Sequence, residues 1–293
     1  MPGTSSAKTC FALLPGHDAT ESVDSMQDLM KGKRGLIMGV ANDHSIAWGV
    51  AKAVAAQGAE LAFTYQGEAQ AKRVRPLAQS LGSETVLPCD VEDIASVDAV
   101  FETLRTKWKQ LDFLVHAIGF TDKNELRGRY ADTTRENFAR TMLISSFSFT
   151  EAAKRAAEMM PPSGGAMITL TFGASMRAMP NYNVMGVAKA ALEASVRYLA
   201  ADFGPRGIRV NAISAGPIRT LAGAVIGDSR AMFAFQQKHS PLNRGVTLDE
   251  LGGSALYLLS DLSGGVTGEI HYVDSGYNIV LMPRPEELKD TAD

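Results

Sequence analysis

Seven short apolar runs, separated by stretches with helical periodicity, constrain this chain more than any other feature. The runs are GLIMGV (35–40), ELAFTY (60–65), ETVLPCDV (84–91), DFLVHAIG (112–119), AMITLTFG (166–173), IRVNAISAG (208–216) and EIHYVDSG (269–276). Most are apolar at both odd and even positions, as strands covered on both faces require. Between them lie helical patterns at about 45–57, 68–81, 94–109, 134–160, 182–203 and 247–260, the fourth closed by PPSGG. Strand and helix in alternation predict an α/β fold, a Rossmann-like doubly wound sheet of seven parallel strands flanked by helices. No repeat or linker interrupts the pattern, so residues 26–293 read as one domain.

The first 25 residues lack periodicity and are rich in Ser, Thr, Gly and Pro. They read as a flexible extension, and equally as an upstream start, since Met26 is a plausible beginning. CFALL is too short for a secretory core. Two cysteines, Cys10 and Cys89, make neither a disulfide framework nor a zinc site, and a reducing cytoplasm is the expected setting. With a net charge of −3 and both signs dispersed, the chain carries no electrostatic footprint for nucleic acid. No apolar run approaches the roughly 20 residues needed to span a bilayer.

In a doubly wound sheet, ligands sit beyond the carboxyl ends of the strands. After the first run comes GVANDHSIAWG, where Gly39 suits a tight turn or close backbone approach and Ser45 stands at a helix start. Such an N-terminus presents free N–H groups suited to a pyrophosphate. The glycine pattern is incomplete, however, with Ala41 and Ser45 where glycines would be expected, and a Gly–Ser turn often serves only to enter a helix. Gln66, after the second run, falls where an adenosine ribose is met. Being neutral, it does not separate NADH from NADPH, with Lys72 and Arg73 nearby in sequence. Asp90 can accept from an adenine amine or cap a helix. His116 lies within an apolar strand and reads as a satisfied core histidine. His44, His239 and His271 show no metal-ligand spacing.

PNYNVMGVAKA (180–190) sets Tyr182 and Lys189 seven residues apart. At about 100° per residue that is nearly two helical turns, so both share a face. A lysine there can hold a ribose diol, and its charge is expected to make the phenol more acidic. The phenol can donate to a carbonyl oxygen as negative charge develops on it. Further on, LAGAVIGDSRAMFAFQQ (221–237) is apolar and broken by glycines, as a mobile flap over a greasy substrate or a core-packing helix would be.

Taken with AELAFTYQG, CDV, HAIGF, RVNAISAGPIRTLA and VDSGY, these motifs resemble the enoyl-acyl carrier protein reductases of bacterial fatty-acid synthesis, divergent members of the short-chain dehydrogenase/reductase superfamily. The match runs from about Gly32 to Gly276. The resemblance implies reduction of trans-2-enoyl thioesters on acyl carrier protein by NADH, in a homotetramer. It makes Tyr182 the group that bonds the thioester carbonyl and Lys189 the holder of the nicotinamide ribose. Gly39, Ser45, Ile46, Gln66, Asp90, Val91 and Ile118 match dinucleotide-binding positions. Ile218, Arg219, Thr220, Leu221 and Ala222 match the segment covering the nicotinamide and pyrophosphate, and Thr121 a substrate contact. Two positions depart from the pattern. Phe172 stands where a second tyrosine is usual, keeping a ring as pocket wall without its hydroxyl, and Ala117 replaces a serine. Two other readings stay open: a short-chain dehydrogenase acting on a ketone or alcohol, and a non-catalytic dinucleotide-binding sensor.

Overall fold

The computed structural model describes residues 28–224 and 227–283. The proposed extension over 1–25 and the Met26 start lie outside them. Seven strands form one parallel sheet: β1 (Arg34–Met38), β2 (Glu60–Tyr65), β3 (Thr85–Pro88), β4 (Phe113–His116), β5 (Gly165–Thr171), β6 (Ile208–Ala215) and β7 (Ile270–Val273). Their order is β3-β2-β1-β4-β5-β6-β7. The seven apolar runs therefore do form the seven strands, shortened by one to three residues at several carboxyl ends. Those trimmed residues enter the loops that border the ligand crevice.

The alternation of side chains across a strand divides the interior into two cores. Leu36, Met38, Leu114, Met167 and Ala212 pack in one cluster. Their sequence neighbours Ile37, Val115, Ile168 and Ile213 pack in the other. Both faces are thus apolar, and helices cover each. These are α1 (Ile46–Ala55), α2 (Gly67–Ser80), α3 (Ile94–Trp108), α4 (Arg135–Met142), α5 (Ser148–Met159), α6 (Asn183–Phe203), α7 (Leu221–Ala224), α8 (Ser229–His239) and α9 (Leu248–Leu259). The helical pattern at 134–160 is divided, because a π-helical segment, Leu143–Phe147, joins α4 to α5. Periodicity does not reveal such a bulge, which adds a residue to a turn without changing which side chains are apolar.

The chain runs outward from β1 through β2 to β3, then returns to place β4 on the other side of β1. Met38 pairs with His116 across that junction. The divergence of the connections opens a crevice at the carboxyl ends of β1 and β4. α1 is set into it by close packing on α9. A Cβ added at Gly252 would lie 2.7 Å from the Gly49 carbonyl oxygen, and one at Gly49 2.8 Å from the Leu248 carbonyl oxygen. The two glycines let the helix backbones approach, which fixes the α1 N-terminus beside β1.

Candidate active site

One cleft of about 810 Å³ lies along the carboxyl ends of β1 to β6. Its wall at the ends of β1 to β3 is built largely from backbone. Gly39 has φ +102°, and a Cβ there would come within 2.2 Å of the Ala117 carbonyl oxygen. The glycine is thus required twice, by its own conformation and by the neighbouring strand end. Ser45 precedes α1 in extended conformation but makes no side-chain cap to it. Its Oγ instead accepts from the amides of Ala41 (3.0 Å) and Asn42 (3.1 Å). The serine draws the β1–α1 loop together; Trp48 N and Gly49 N donate to its carbonyl, and the N–H groups of Ile46 and Ala47 stay available to an anion.

At the next two strand ends, Gln66 Nε2 donates to Asp90 Oδ2 at 3.1 Å. Asp90 Oδ1 accepts from the Glu92 amide at 3.0 Å. The cap of α3 is not Asp90 but Asp93, whose carboxylate accepts from Ala95 N. Arg73 donates from Nε to the Ala41 carbonyl at 3.0 Å, bracing the β1–α1 loop. Val91 and Ile118 supply apolar surface to the same wall.

The other end of the cleft is buried. Tyr182 is the residue immediately before α6, with φ −123° and ψ −25°, rather than part of its first turn. It is 8% exposed, its ring meets Phe172 edge-on at a centroid distance of 5.4 Å, and Leu126 and Met185 pack around it. Among the described residues no protein group bonds its hydroxyl, which borders the cleft. Lys189 donates from Nζ to the Leu170 carbonyl at 2.8 Å, at the end of β5. Burial lowers its ammonium from 10.5 to about 8, opposed by the charge of Glu193 one helical turn on. The Glu193 carboxylate accepts from Thr171 Oγ1 (2.7 Å) and Ser175 Oγ (2.5 Å), so it also ties the loop after β5 to α6.

The expectation that Lys189 acidifies the phenol is corrected. Burial pushes the Tyr182 hydroxyl above its ordinary value of 10.0, and that is the cause that counts. Desolvation of the phenolate outweighs the field of a lysine whose ammonium is engaged with a backbone carbonyl. Tyr182 therefore holds its proton at neutral pH, the state a hydrogen-bond donor needs. His116 is fully buried between Thr169 Oγ1 (3.2 Å) and Ser148 Oγ (2.9 Å). Burial, and then the charge of Lys189, lower it to about 3, so it is a neutral core histidine rather than a catalyst.

Thr121 borders the cleft on the loop after β4. Its hydroxyl donates to Asn137 Oδ1 (3.2 Å) and accepts from Thr141 Oγ1 (2.8 Å). Ile218, Thr220 and Leu221 close the opposite side. Thr220 Oγ1 accepts from Gly223 N at 3.0 Å, leaving its own O–H to donate. Arg219, expected in the cofactor cover, is exposed and is not among the residues lining the cleft. It stands between two lining residues, Ile218 and Thr220, in a stretch of irregular backbone. The side chain of Ala222 is outside the described residues. The 221–237 stretch is neither a core-packing helix nor continuous: α8 has no buried residue, and Phe233 borders the cleft.

Sequence reasoning missed several residues that shape the site. Ser145, in the π-helical segment, accepts from the Phe120 amide and donates to its carbonyl, both at 2.9 Å. Arg140 forms a two-pronged pair with Glu92 (2.7 Å each) and stacks over Phe120 at 4.5 Å. Glu193 had a signal, an acid one turn from Lys189 on an otherwise apolar face. The others depend on partners 25 to 48 residues away, and no local pattern marks them.

A parallel doubly wound sheet whose crevice joins a free helix N-terminus to a buried tyrosine and lysine defines a dinucleotide-dependent oxidoreductase of the Rossmann type. The comparisons with known proteins narrow that class. A family model described as enoyl-(acyl carrier protein) reductase matches residues 39–278. The chain is 74% identical over 264 residues to enoyl-acyl-carrier-protein reductase (NADH) 2 of Rhizobium meliloti, with 90% of this chain and 98% of that one aligned. Among solved structures it is similar to FabI from Candidatus Liberibacter asiaticus, with TM-score 0.86, 61% identity, and coverage of 88% of this chain and 100% of that chain. It is also similar to the Anaplasma phagocytophilum enoyl-acyl-carrier-protein reductase solved in complex with NAD, with TM-score 0.85, 55% identity, and coverage of 88% and 98%. This chain belongs to the enoyl-(acyl carrier protein) reductase family, within the short-chain dehydrogenase/reductase superfamily.

Proposed function

We propose that the chain reduces the trans-2 double bond of enoyl thioesters carried on acyl carrier protein, with NADH as reductant and Tyr182 as the group that stabilises the transition state. The observation that carries this is the buried Tyr182 hydroxyl, unpartnered among the described residues and sharing a cleft with Lys189. The residues present fit the cofactor. Gly39 removes the side chain that would crowd the strand-end crevice, the α1 N-terminus faces it, and Gln66 with Asp90 offers amide and carboxylate groups to an adenosine. The Asp90 carboxylate also disfavours a 2′-phosphate, consistent with NADH.

When bound there, the nicotinamide supplies hydride to the substrate β-carbon. Negative charge then collects on the thioester oxygen, and Tyr182 donates to it. An oriented donor of this kind contributes ~3–4 kcal/mol to lowering the barrier. The donor works because its proton is retained, and the apolar wall of Phe172, Leu126 and Met185 keeps water from competing for the developing charge. Lys189, held by the Leu170 carbonyl, would offer its ammonium to the ribose hydroxyls. A proton from solvent completes the product at the α-carbon. Ile46, Val91, Ile118, Ile218, Thr220 and Leu221 bind the cofactor along the cleft, while Thr121 and Phe172 bound the acyl side. Loss of NADH absorbance on adding a trans-2-enoyl thioester tests the reaction; no turnover despite NADH binding would refute it.

The same reading takes residues 26–293 as one reductase domain and 1–25 as a separate extension. It has the enzyme work in the cytoplasm as a homotetramer. Phe138, Phe147 and Tyr198, exposed on α4, the π-helical segment and α6, support self-association. Light scattering at the monomer mass would overturn it. Among the described residues no helix is long and apolar enough to cross a membrane.

A further inference from the structure

Tyr182 is flanked by two asparagines, and both have left-handed backbone: Asn181 at φ +59° and Asn183 at φ +35°. Non-glycine residues rarely adopt positive φ, and asparagine tolerates it best. The pair turns the chain sharply on either side of one residue, and the residue between them is the one that enters the cleft. Their side chains reach in different directions. Asn181 Nδ2 donates to the Gly227 carbonyl at 3.0 Å. Asn183 Nδ2 donates to the Glu125 carbonyl at 3.0 Å, with the carbonyls of Arg127 and Gly128 at 3.5 Å.

The 125–128 turn that Asn183 grips carries Leu126, 3% exposed, which packs against Tyr182. The far side of the turn is anchored too. The Glu125 carboxylate accepts from Thr134 N (2.9 Å), Thr134 Oγ1 (2.8 Å) and Asn137 Nδ2 (3.1 Å). Asn137 in turn holds Thr121 and the Asp122 amide. A single amide on α6 thus links the tyrosine's own backbone to the loop that walls its ring.

We propose that Asn183 is a positioning residue for the reaction: its left-handed backbone delivers Tyr182 to the cleft, and its amide holds the Leu126 turn as the backstop of the phenol ring. The proposal rests on the reading of Tyr182 as the carbonyl donor. Asn183 acts through that hydroxyl and touches neither cofactor nor substrate. It governs kcat and leaves NADH affinity alone.

Two variants separate its roles. Asn183→Gly keeps the backbone conformation and removes the amide; Asn183→Ala removes both. Small misplacements of a catalytic group cost up to ~10²-fold in rate. The expected result is a kcat lower by ~10-fold for Gly and closer to ~10²-fold for Ala. NADH affinity by fluorescence titration should stay within about twofold, and the Asn183→Gly/Tyr182→Phe double variant should be no slower than Tyr182→Phe alone. Asn183→Gly at full kcat, a parallel fall in kcat and NADH affinity, or additive losses in the double variant would overturn the proposal. Asn183→Gly carries the test even where Asn183→Ala fails to fold. Tyr182→Phe by itself keeps the two readings apart: full activity there refutes the tyrosine's role, whereas an inactive Tyr182→Phe beside a fully active Asn183→Gly refutes only the role of Asn183.

Discussion

The two ends of the cleft are made differently. At the β1–β3 end the wall is backbone and polar side chains that hold one another: exposed Gln66 on half-buried Asp90, buried Ser45 on the Ala41 and Asn42 amides, exposed Arg73 on the Ala41 carbonyl. At the carbonyl end the ionisable groups are buried, and their protonation departs from the ordinary. Lys189 falls to about 8, His116 to about 3, and the Tyr182 phenol rises. Solvated hydrogen bonds orient a ligand at modest energetic cost. Desolvated ones set which groups carry protons. The contrast supports the proposal that recognition belongs to one end and chemistry to the other.

The sharpest way to break this contrast is Tyr182→Phe, which keeps the ring against Phe172 and removes only the donor. Turnover should fall by ~10²–10³-fold while NADH affinity holds. Gly39→Ala strikes the other end through backbone alone. A Cβ 2.2 Å from the Ala117 oxygen, at a positive φ, should cost on the order of 2–3 kcal/mol of stability and widen the β1–β4 junction. Chemical denaturation checks it, and an unchanged midpoint would mean that the junction yields freely.

Lys189→Met should weaken NADH binding by ~10-fold. The sign with pH follows from the lowered ammonium. Lys189 is charged below about 8 and loses its proton above it. NADH affinity should therefore decline as pH rises past 8, and in the Met variant that decline should vanish. A wild-type profile flat across this window would remove the lysine from cofactor binding. The smallest effect belongs to Gln66→Ala. Its bond to Asp90 is exposed, so NADH affinity should change by only ~2–5-fold. A loss as large as that of Lys189→Met would erase the distinction between the two ends.

Much of the architecture was legible because it is local. Each strand announced itself as an apolar run, since both faces of the sheet are covered. The ends were less legible, because strand termini depend on where the neighbouring strand stops pairing. Within the site, Gly39, Tyr182 and Lys189 were legible from loop position and spacing. For Asp90 the helix-cap alternative stayed open until Asp93 was seen to cap α3. The exposed placement of Arg219 was not legible either, because an irregular stretch has no period from which to read direction.

The sequence by itself determined seven strands, their helices, and a tyrosine and lysine brought to one crevice, since hydrophobic period and helical spacing act between near neighbours. Only the tertiary structure decided that Tyr182 keeps its proton and that Lys189 is drawn toward losing its own. It alone showed that Tyr182 stands between two left-handed asparagines and that one of them, Asn183, bonds the turn that carries Leu126. Protonation follows from desolvation by residues remote in the chain, and a backbone turn at positive φ persists only where distant carbonyls receive the side chain that makes it.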